Sequence, residues 1–255
     1  MAETTSGARP VALVTGASYG IGGASAAGLA ADGFDVVVTD LDRASPAETV
    51  RRVEAAGGRS IALALDVRDQ ASIERCCDDA LAAFGRIDVL VNNAGVPSPR
   101  LPILEITREV WERLTSVNLT GAFFMSQAYA RRQIAAERPG LIISLASTFG
   151  IIGLANASVY GINKAAVSHM TKMMAIEWAA NGIRANAVAP GSTATETRIR
   201  NQRDPKIGPA MRARVPLNRF AEPDEVAAAI RYLASPAASY ITGHTLVLDG
   251  GLTVA

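Results

Sequence analysis

Short, uninterrupted apolar runs alternate along this chain with longer stretches of helical period. Val11 to Val14, Phe34 to Thr39 and Ile61 to Leu65 are apolar at nearly every position. Such runs suit strands covered on both faces, because a strand with one wet face alternates apolar and polar residues. Between them, Ile21 to Ala31 and Pro46 to Ala56 read as helices, closed by Gly33 and by Gly57-Gly58, with Pro46 in a first-turn position. Asp69 is the expected N-cap of a third helix that ends near Phe84-Gly85. The pattern continues with a strand over Ile87 to Val91, a long helix from about Thr107 to Glu137 stopped by Pro139-Gly140, and a strand over Leu141 to Leu145. A helix over Ser158 to Ala180, a strand over Ile183 to Ala189, a helix from Pro223 to Ala234 and a seventh strand over Thr245 to Leu248 complete it. Right-handed crossovers turn this order into one doubly wound α/β fold, a parallel sheet with helices on both faces.

No linker or repeat divides the chain, so residues 1–255 are expected to form a single catalytic domain with a flexible N-terminal tail over 1–9. Ser192 to Glu222 departs from the pattern: 31 residues carry three prolines and seven Lys/Arg against three Asp/Glu. That is too long for an ordinary connection, and it follows the carboxyl end of a strand. It is expected to be a partly helical substrate lid; the alternative is a solvated surface excursion.

Composition narrows the function classes. A hydrophobic content of 49% excludes disorder, and a formal net charge of +1 gives no global electrostatic reason for a nucleic-acid or membrane-surface partner. Small molecules are the expected ligands. Cys76 and Cys77 are adjacent on a helix, so their side chains diverge and read as unpaired thiols rather than a metal or redox site. No metal site is expected. Met1 to Arg9 is short and polar, without an apolar stretch long enough for a secretion signal, and the chain is expected to be cytoplasmic. Leu141 to Asn163 lacks charge but is dense in hydroxyls, which argues against a membrane span and fits a buried strand feeding a dry reaction site. Met170, Met173, Met174 and Trp178 form a helical stripe expected in the core.

Chemistry concentrates after the predicted strands. Thr15-Gly16-Ala17-Ser18-Tyr19-Gly20-Ile21-Gly22 follows the first strand and opens the first helix, where free backbone amides attract phosphate and glycines permit close approach of a pyrophosphate. Asp40 ends the second strand, 20 residues past Gly20. A carboxylate there accepts from both hydroxyls of an adenosine ribose and repels a 2′-phosphate, which predicts NAD over NADP. Arg43 is the only nearby cation, and Leu41 follows Asp40 at the same place. Asp66-Val67, at the end of the third strand, can flank an adenine. In Asn92-Asn93-Ala94-Gly95, after the fourth strand, the asparagines can tie strands together or line a nucleotide, with Asn93 and Gly95 assigned to the cofactor. Tyr160 and Lys164 are four residues apart on one helix face, with Ser147 upstream. An ammonium beneath a phenol favours phenolate, so the trio can do acid–base chemistry on one carbonyl oxygen; Tyr-x-x-x-Lys alone also describes a surface pair.

Taken in order, the turn from Thr15 to Gly22, Asp66, Asn92 to Gly95, Asn118, Ser147, Tyr160 with Lys164, Pro190-Gly191 and Asp249-Gly250-Gly251 resemble the short-chain dehydrogenase/reductase family from Val11 to Gly251. The resemblance implies a Rossmann-type fold with a seven-stranded sheet. It implies hydride transfer between a nicotinamide cofactor and a secondary alcohol or ketone, with Tyr160 as general acid or base and Ser147 polarising the substrate oxygen. Lys164 would lower the Tyr160 pKa and bind the nicotinamide ribose, and Asn118 would position a relay water. Pro190-Gly191, the Thr193 backbone and the Thr195 hydroxyl would surround the carboxamide. Three positions depart from the family pattern: Thr193 replaces an aliphatic residue, Ser144 an asparagine, and Asn218 a glycine after Pro-Leu. Family members commonly form homotetramers, here through the helices over 107–137 and 158–180 and the C-terminal strand. Other readings are an idle NAD-binding sensor or scaffold, although such a protein would typically lose part of the triad, and reduction of a 3-oxoacyl thioester with NADPH. The walls expected for the substrate are Pro97 to Arg100, Thr148 to Gly150, Ala155 to Ala157 and Thr197 to Arg203, with Arg100, Arg198 and Arg203 as candidate partners of an acidic group.

Overall fold

The computed structural model describes residues 8–196, 205 and 208–255. Their elements are β1 (Val11–Val14), α1 (Gly20–Ala31), β2 (Asp35–Asp40), α2 (Ala47–Ala55), β3 (Ser60–Ala64), α3 (Gln70–Phe84), β4 (Val89–Asn92), α4 (Arg108–Thr115), α5 (Ala122–Ala135), β5 (Gly140–Leu145), α6 (Ser158–Trp178), β6 (Ile183–Pro190), α7 (Gly208–Ala213), α8 (Pro223–Ala234) and β7 (Thr245–Leu248). The strands form one parallel sheet in the order β3-β2-β1-β4-β5-β6-β7. The chain winds outward from β1 to β3, then crosses back to place β4 on the other side of β1. That reversal opens a crevice at the carboxyl ends of β1 and β4, the place where such sheets bind ligands.

Apolar residues run without a break along the central strands because each face is covered. Val11 and Leu13 of β1, Leu90 of β4 and Ile142 of β5 join a core with Ile73, Met125 and Met174 from α3, α5 and α6. Their neighbours Ala12, Val14, Val89, Val91 and Ile143 join a second core with Leu29, Val53 and Ile230 from α1, α2 and α8. Burying each large aliphatic side chain is worth about 1.5–3 kcal/mol, so the two layers dominate the stability of the sheet that carries the crevice.

Local signals act where expected. The Asp69 side chain accepts from the Ala71 and Ser72 amides, and Gly85 closes α3 in the left-handed region. Asn218 takes φ +51°, which explains why glycine suits that position: asparagine is among the few other residues that enter this region at low cost. Three expectations need adjustment. The long helix over 107–137 is α4 and α5 joined through a π-helical segment, Ser116–Gly121. Met173 is exposed, whereas Met170 and Met174 are buried and Trp178 packs against the core, because positions four apart share a face and Met173 falls off it. Arg9 is already anchored: its guanidinium donates to the Ala30 and Phe34 carbonyls and pairs with Asp35 at 3.3 Å.

Candidate active site

A crevice of about 460 Å³ runs across the carboxyl ends of the strands. It is lined by Gly16, Tyr19, Gly20, Ile21, Gly22, Asp40, Leu41, Asp66, Val67, Asn93, Gly95, Asn118, Ser147, Tyr160, Lys164, Pro190, Gly191, Thr193 and Thr195. Of the catalytic and cofactor-binding residues expected, only Ser18 is outside this lining; of the expected substrate walls, Pro97, Thr148 and Phe149 line it, whereas Ser98 to Arg100, Gly150 and Ala155 to Ala157 do not.

One end is built by the turn after β1. Gly16 has φ +61°, and a Cβ on Gly22 would stand 2.4 Å from the Gly16 carbonyl oxygen and 2.5 Å from Asn93 Nδ2, so both positions require glycine. The Asn93 carboxamide donates to the Thr15 and Gly16 carbonyls at 2.9 and 2.7 Å. Thr15 Oγ1 accepts from the Asn93 and Ala94 amides, both at 3.0 Å. The asparagine at the end of β4 therefore holds the turn in shape. Asn92 ties the sheet to its cover, donating to Ser126 Oγ at 2.8 Å and Ser144 Oγ at 3.4 Å, so Ser144 keeps a polar role in the strand before Ser147. The N-terminus of α1 has no side-chain cap and no acidic residue in its first turn. An uncapped helix start above a side-chain-free cradle fits the pyrophosphate of a dinucleotide.

Ser18 lies behind Asp40. Its hydroxyl and amide both donate to Asp40 Oδ2, and the Leu41 amide donates to Oδ1 at 2.8 Å. At the edge of the same end, Arg68 grips Asp66 through several hydrogen bonds of 2.6 to 3.1 Å. This grip holds the Asp66 carboxyl below the usual carboxylate range. Val67 fits against Gly121, where any Cβ would come within 2.6 Å of its Cγ2. Arg68, Arg113 and Val117 also line the crevice but lie outside the motifs. An acid two residues before an arginine was the only available signal, and it applies to Arg68 alone.

The other end gathers the hydroxyls. Ser147 follows β5 and is buried, and its Oγ accepts from the Phe149 amide at 3.2 Å. Tyr160 lies on the first turns of α6, and Lys164 Nζ lies 5.8 Å from its ring centroid. The buried Lys164 ammonium also donates to the Leu145 carbonyl at the end of β5, a backbone partner that no side-chain pattern announces. Phe149 meets the Tyr160 ring edge-on, with centroids 6.2 Å apart. Asn118 is buried in the π-helical segment, accepting from the Val96 amide at 2.8 Å and donating to the Val96 carbonyl at 3.1 Å. Its carboxamide thus holds the loop after β4, and the register change in the helix brings it there; π turns recur at functional sites.

Past β6, the Gly191 amide donates to the Leu248 carbonyl at 2.8 Å, and a Cβ on Gly191 would come within 3.0 Å of Asp249 Cα. Thr193 is buried, pairs with Ala221 and donates from Oγ1 to the Gly191 carbonyl at 3.3 Å, a polar contact an aliphatic residue would lack. Thr195 stands 3.3 Å from where a Gly20 Cβ would be, bridging this end to the turn after β1. Arg198, Arg203 and the whole of the wall expected over Thr197 to Arg203 lie outside the described residues, as does the middle of the expected lid. Among the described residues, no group of three or more His, Cys, Asp or Glu side chains is arranged to hold a metal ion, and no helix is long and apolar enough to cross a membrane.

Comparison with known proteins agrees with this architecture. A family model described as enoyl-(acyl carrier protein) reductase matches residues 16–253. A cis-4-hydroxycyclohexanecarboxylate dehydrogenase of Sinomonas cyclohexanicum is 41% identical over 246 residues, covering 96% of this chain and 97% of its own length. A 3beta-hydroxysteroid dehydrogenase 1 of Eggerthella lenta is 39% identical over 247 residues, covering 95% and 93%. A solved Agrobacterium tumefaciens structure with bound NADP superposes with a TM-score of 0.90 at 35% identity, over 100% of both chains.

Proposed function

Because the chain belongs to the short-chain dehydrogenase/reductase family, we propose that it is an oxidoreductase that moves a hydride between a nicotinamide cofactor and a secondary alcohol or its ketone, with Tyr160 as the general acid or base. The observation that carries this reading is the convergence of Ser147, Tyr160 and Lys164 on the crevice whose far end is the glycine turn.

When bound, the nicotinamide supplies the hydride acceptor in oxidation and the donor in reduction. The chain supplies orientation and proton handling. In oxidation, Tyr160 Oη takes the proton of the substrate hydroxyl as the carbon–hydrogen bond breaks; in reduction it returns that proton to the carbonyl oxygen. Ser147 donates to the same oxygen and stabilises the charge that develops there. Lys164 places a cation beside the phenol and binds the nicotinamide ribose. Asn118 holds the crevice wall and positions the water that connects Lys164 to solvent. Gly16, Gly20, Ile21 and Gly22 receive the pyrophosphate, with Tyr19 beside them. Asp66, Val67, Asn93 and Gly95 flank the adenosine, and Pro190, Gly191, Thr193 and Thr195 the carboxamide. Tyr160→Phe is expected to abolish turnover while cofactor binding, measured by fluorescence titration, survives; substantial residual turnover would remove Tyr160 from this role.

NAD is the preferred cofactor in this reading. Asp40 presents a carboxylate fixed by Ser18 and Leu41, which accepts from a ribose diol and repels a 2′-phosphate. A similar structure binds NADP, so the preference rests on Asp40 itself. Equal or higher kcat/KM with NADP would overturn it. The substrate is a small molecule, with neither nucleic acid nor membrane as partner. The relatives' names divide between a carboxylate-bearing alcohol and a steroid alcohol, and so do not choose a substrate. Unpaired Cys76 and Cys77 fit a cytoplasmic compartment. Exposed Trp111, Phe123, Phe124, Ile162 and Ile176 on α4, α5 and α6 fit a homotetramer assembled through these helices and the C-terminal strand.

A further inference from the structure

We propose that Thr115 and Asn163 are positioning residues of the reaction: their hydrogen bond sets the register between the π-helical segment that carries Asn118 and the helix that carries Lys164. The gap so fixed is the one the proton crosses on its way between Lys164 and solvent. The inference rests on the hydride-transfer reading and adds to it a pair outside the motifs.

Asn163 is the polar member of an apolar stripe. Val159, Asn163, Val167, Met170 and Met174 recur at spacings of three and four along α6, and all are buried. The hydroxyl of Thr115, the last residue of α4, donates to Asn163 Oδ1 at 3.2 Å. Asn163 Nδ2 is buried too and meets no hydrogen-bond partner among the described residues. A buried carboxamide satisfied at one end lowers stability, whereas an aliphatic side chain of similar shape would not. Packing therefore gives no reason for asparagine here. A single polar residue in an apolar helix seam fixes register instead, because sliding either helix would leave both partners buried and unpaired.

Register matters at this seam because the proton path lies on either side of it. Lys164 directly follows Asn163, and its ammonium donates to the Leu145 carbonyl at the end of β5. Asn118 lies three residues past Thr115, and its carboxamide bonds the Val96 amide and carbonyl in the loop after β4. Each group is thus anchored to the end of its own strand, and Thr115 with Asn163 ties one helix to the other. The tie sits where a helix is least regular. Thr115 immediately precedes Ser116–Gly121, where π turns interrupt the ordinary helical ladder. Pinning the start of that segment to the residue before Lys164 fixes the separation of Asn118 and Lys164.

The test uses variants of the full-length protein, assayed by NAD-linked oxidation of the best secondary alcohol in a panel of aliphatic, alicyclic, sugar and steroid alcohols. T115V is expected to lower kcat about 10- to 100-fold, the effect of a misplacement of about 1 Å, with KM for NAD and for the alcohol nearly unchanged. The solvent deuterium isotope effect on kcat is expected to grow, because proton release becomes the slow step. T115S keeps the hydroxyl and is expected to restore kcat. The double variant T115V/N163L removes both polar partners, and is expected to match or exceed the wild-type Tm while remaining slow. A purely structural pair would give the reverse, a lower Tm with an unchanged kcat. That result, or a slowed variant whose isotope effect does not change, would overturn the positioning role and leave hydride transfer standing. Failure of the wild type to oxidise any alcohol of the panel with either nicotinamide cofactor would overturn hydride transfer itself, and this inference with it.

Discussion

Each carboxylate that lines the crevice among the described residues is held by a neighbour: Asp40 by Ser18 and the Leu41 amide, Asp66 by Arg68. Freezing an acid before the ligand arrives reduces the rotamer entropy lost on binding. Ser18 is therefore a positioning residue. Ser18→Ala is expected to raise KM for NAD about fivefold, the equivalent of one hydrogen bond near 1 kcal/mol, with kcat at saturating NAD nearly unchanged. Ser18→Thr, which keeps the hydroxyl, is expected to recover most of the loss. A parallel fall in kcat would point instead to damage across the whole crevice. The same arrangement explains why motif residues were easier to find in the sequence than their supports. Asp40, Tyr160 and Lys164 announce themselves by type and spacing, whereas the Leu145 carbonyl under Lys164 and the Val96 backbone under Asn118 carry no side-chain signature.

At the scale of elements, strand and helix identities followed from apolar runs, glycine stops and the Asp69 cap, because burial on both faces leaves so plain a trace. The join between α4 and α5 did not. A π turn adds a residue without changing which residues look apolar, so periodicity reads one helix where Ser116–Gly121 carries a register shift. Strand ends moved by a residue or two because hydrogen-bond pairing sets them, as at Pro190 facing Leu248. Helix α3 offers a test of element packing. Cys76 and Cys77 are buried in the core beneath α5, and desolvation pushes the Cys77 thiol up to about 12 and raises Cys76 as well. A thiol whose folded pKa is raised adds stability that is whole below its unfolded pKa of about 8.5 and is lost as pH climbs toward the folded value. Tm is thus expected to fall progressively above about pH 9, and Cys77→Ala to shrink that fall. Both thiols should resist Ellman's reagent in the native protein and react once it is unfolded; rapid native reaction would show that α3 opens readily.

Across the whole molecule, the exposed apolar side chains of α4, α5 and α6 predict self-association. Sedimentation is expected to give the mass of a tetramer, and Ile176→Glu, at the most exposed of the large apolar α6 side chains, to lower it; a wild-type monomer would refute the assembly. The near-neutral charge of +1 does nothing to oppose such contacts. Sheet order has a further consequence, in time rather than in space. Val14 of β1 pairs with Val38 of β2 on one side and Val91 of β4 on the other, so the central strand waits for a partner that is synthesised long after it. High contact order makes such parallel pairing slow and leaves an unpaired edge open to other chains meanwhile. The floor of the crevice is completed only when β4 docks against β1 and Asn93 reaches Thr15. Refolding of the chain should therefore regain helical signal well before it regains the ability to bind a dinucleotide, and a cofactor added during that interval can trap the finished protein but cannot hasten its assembly.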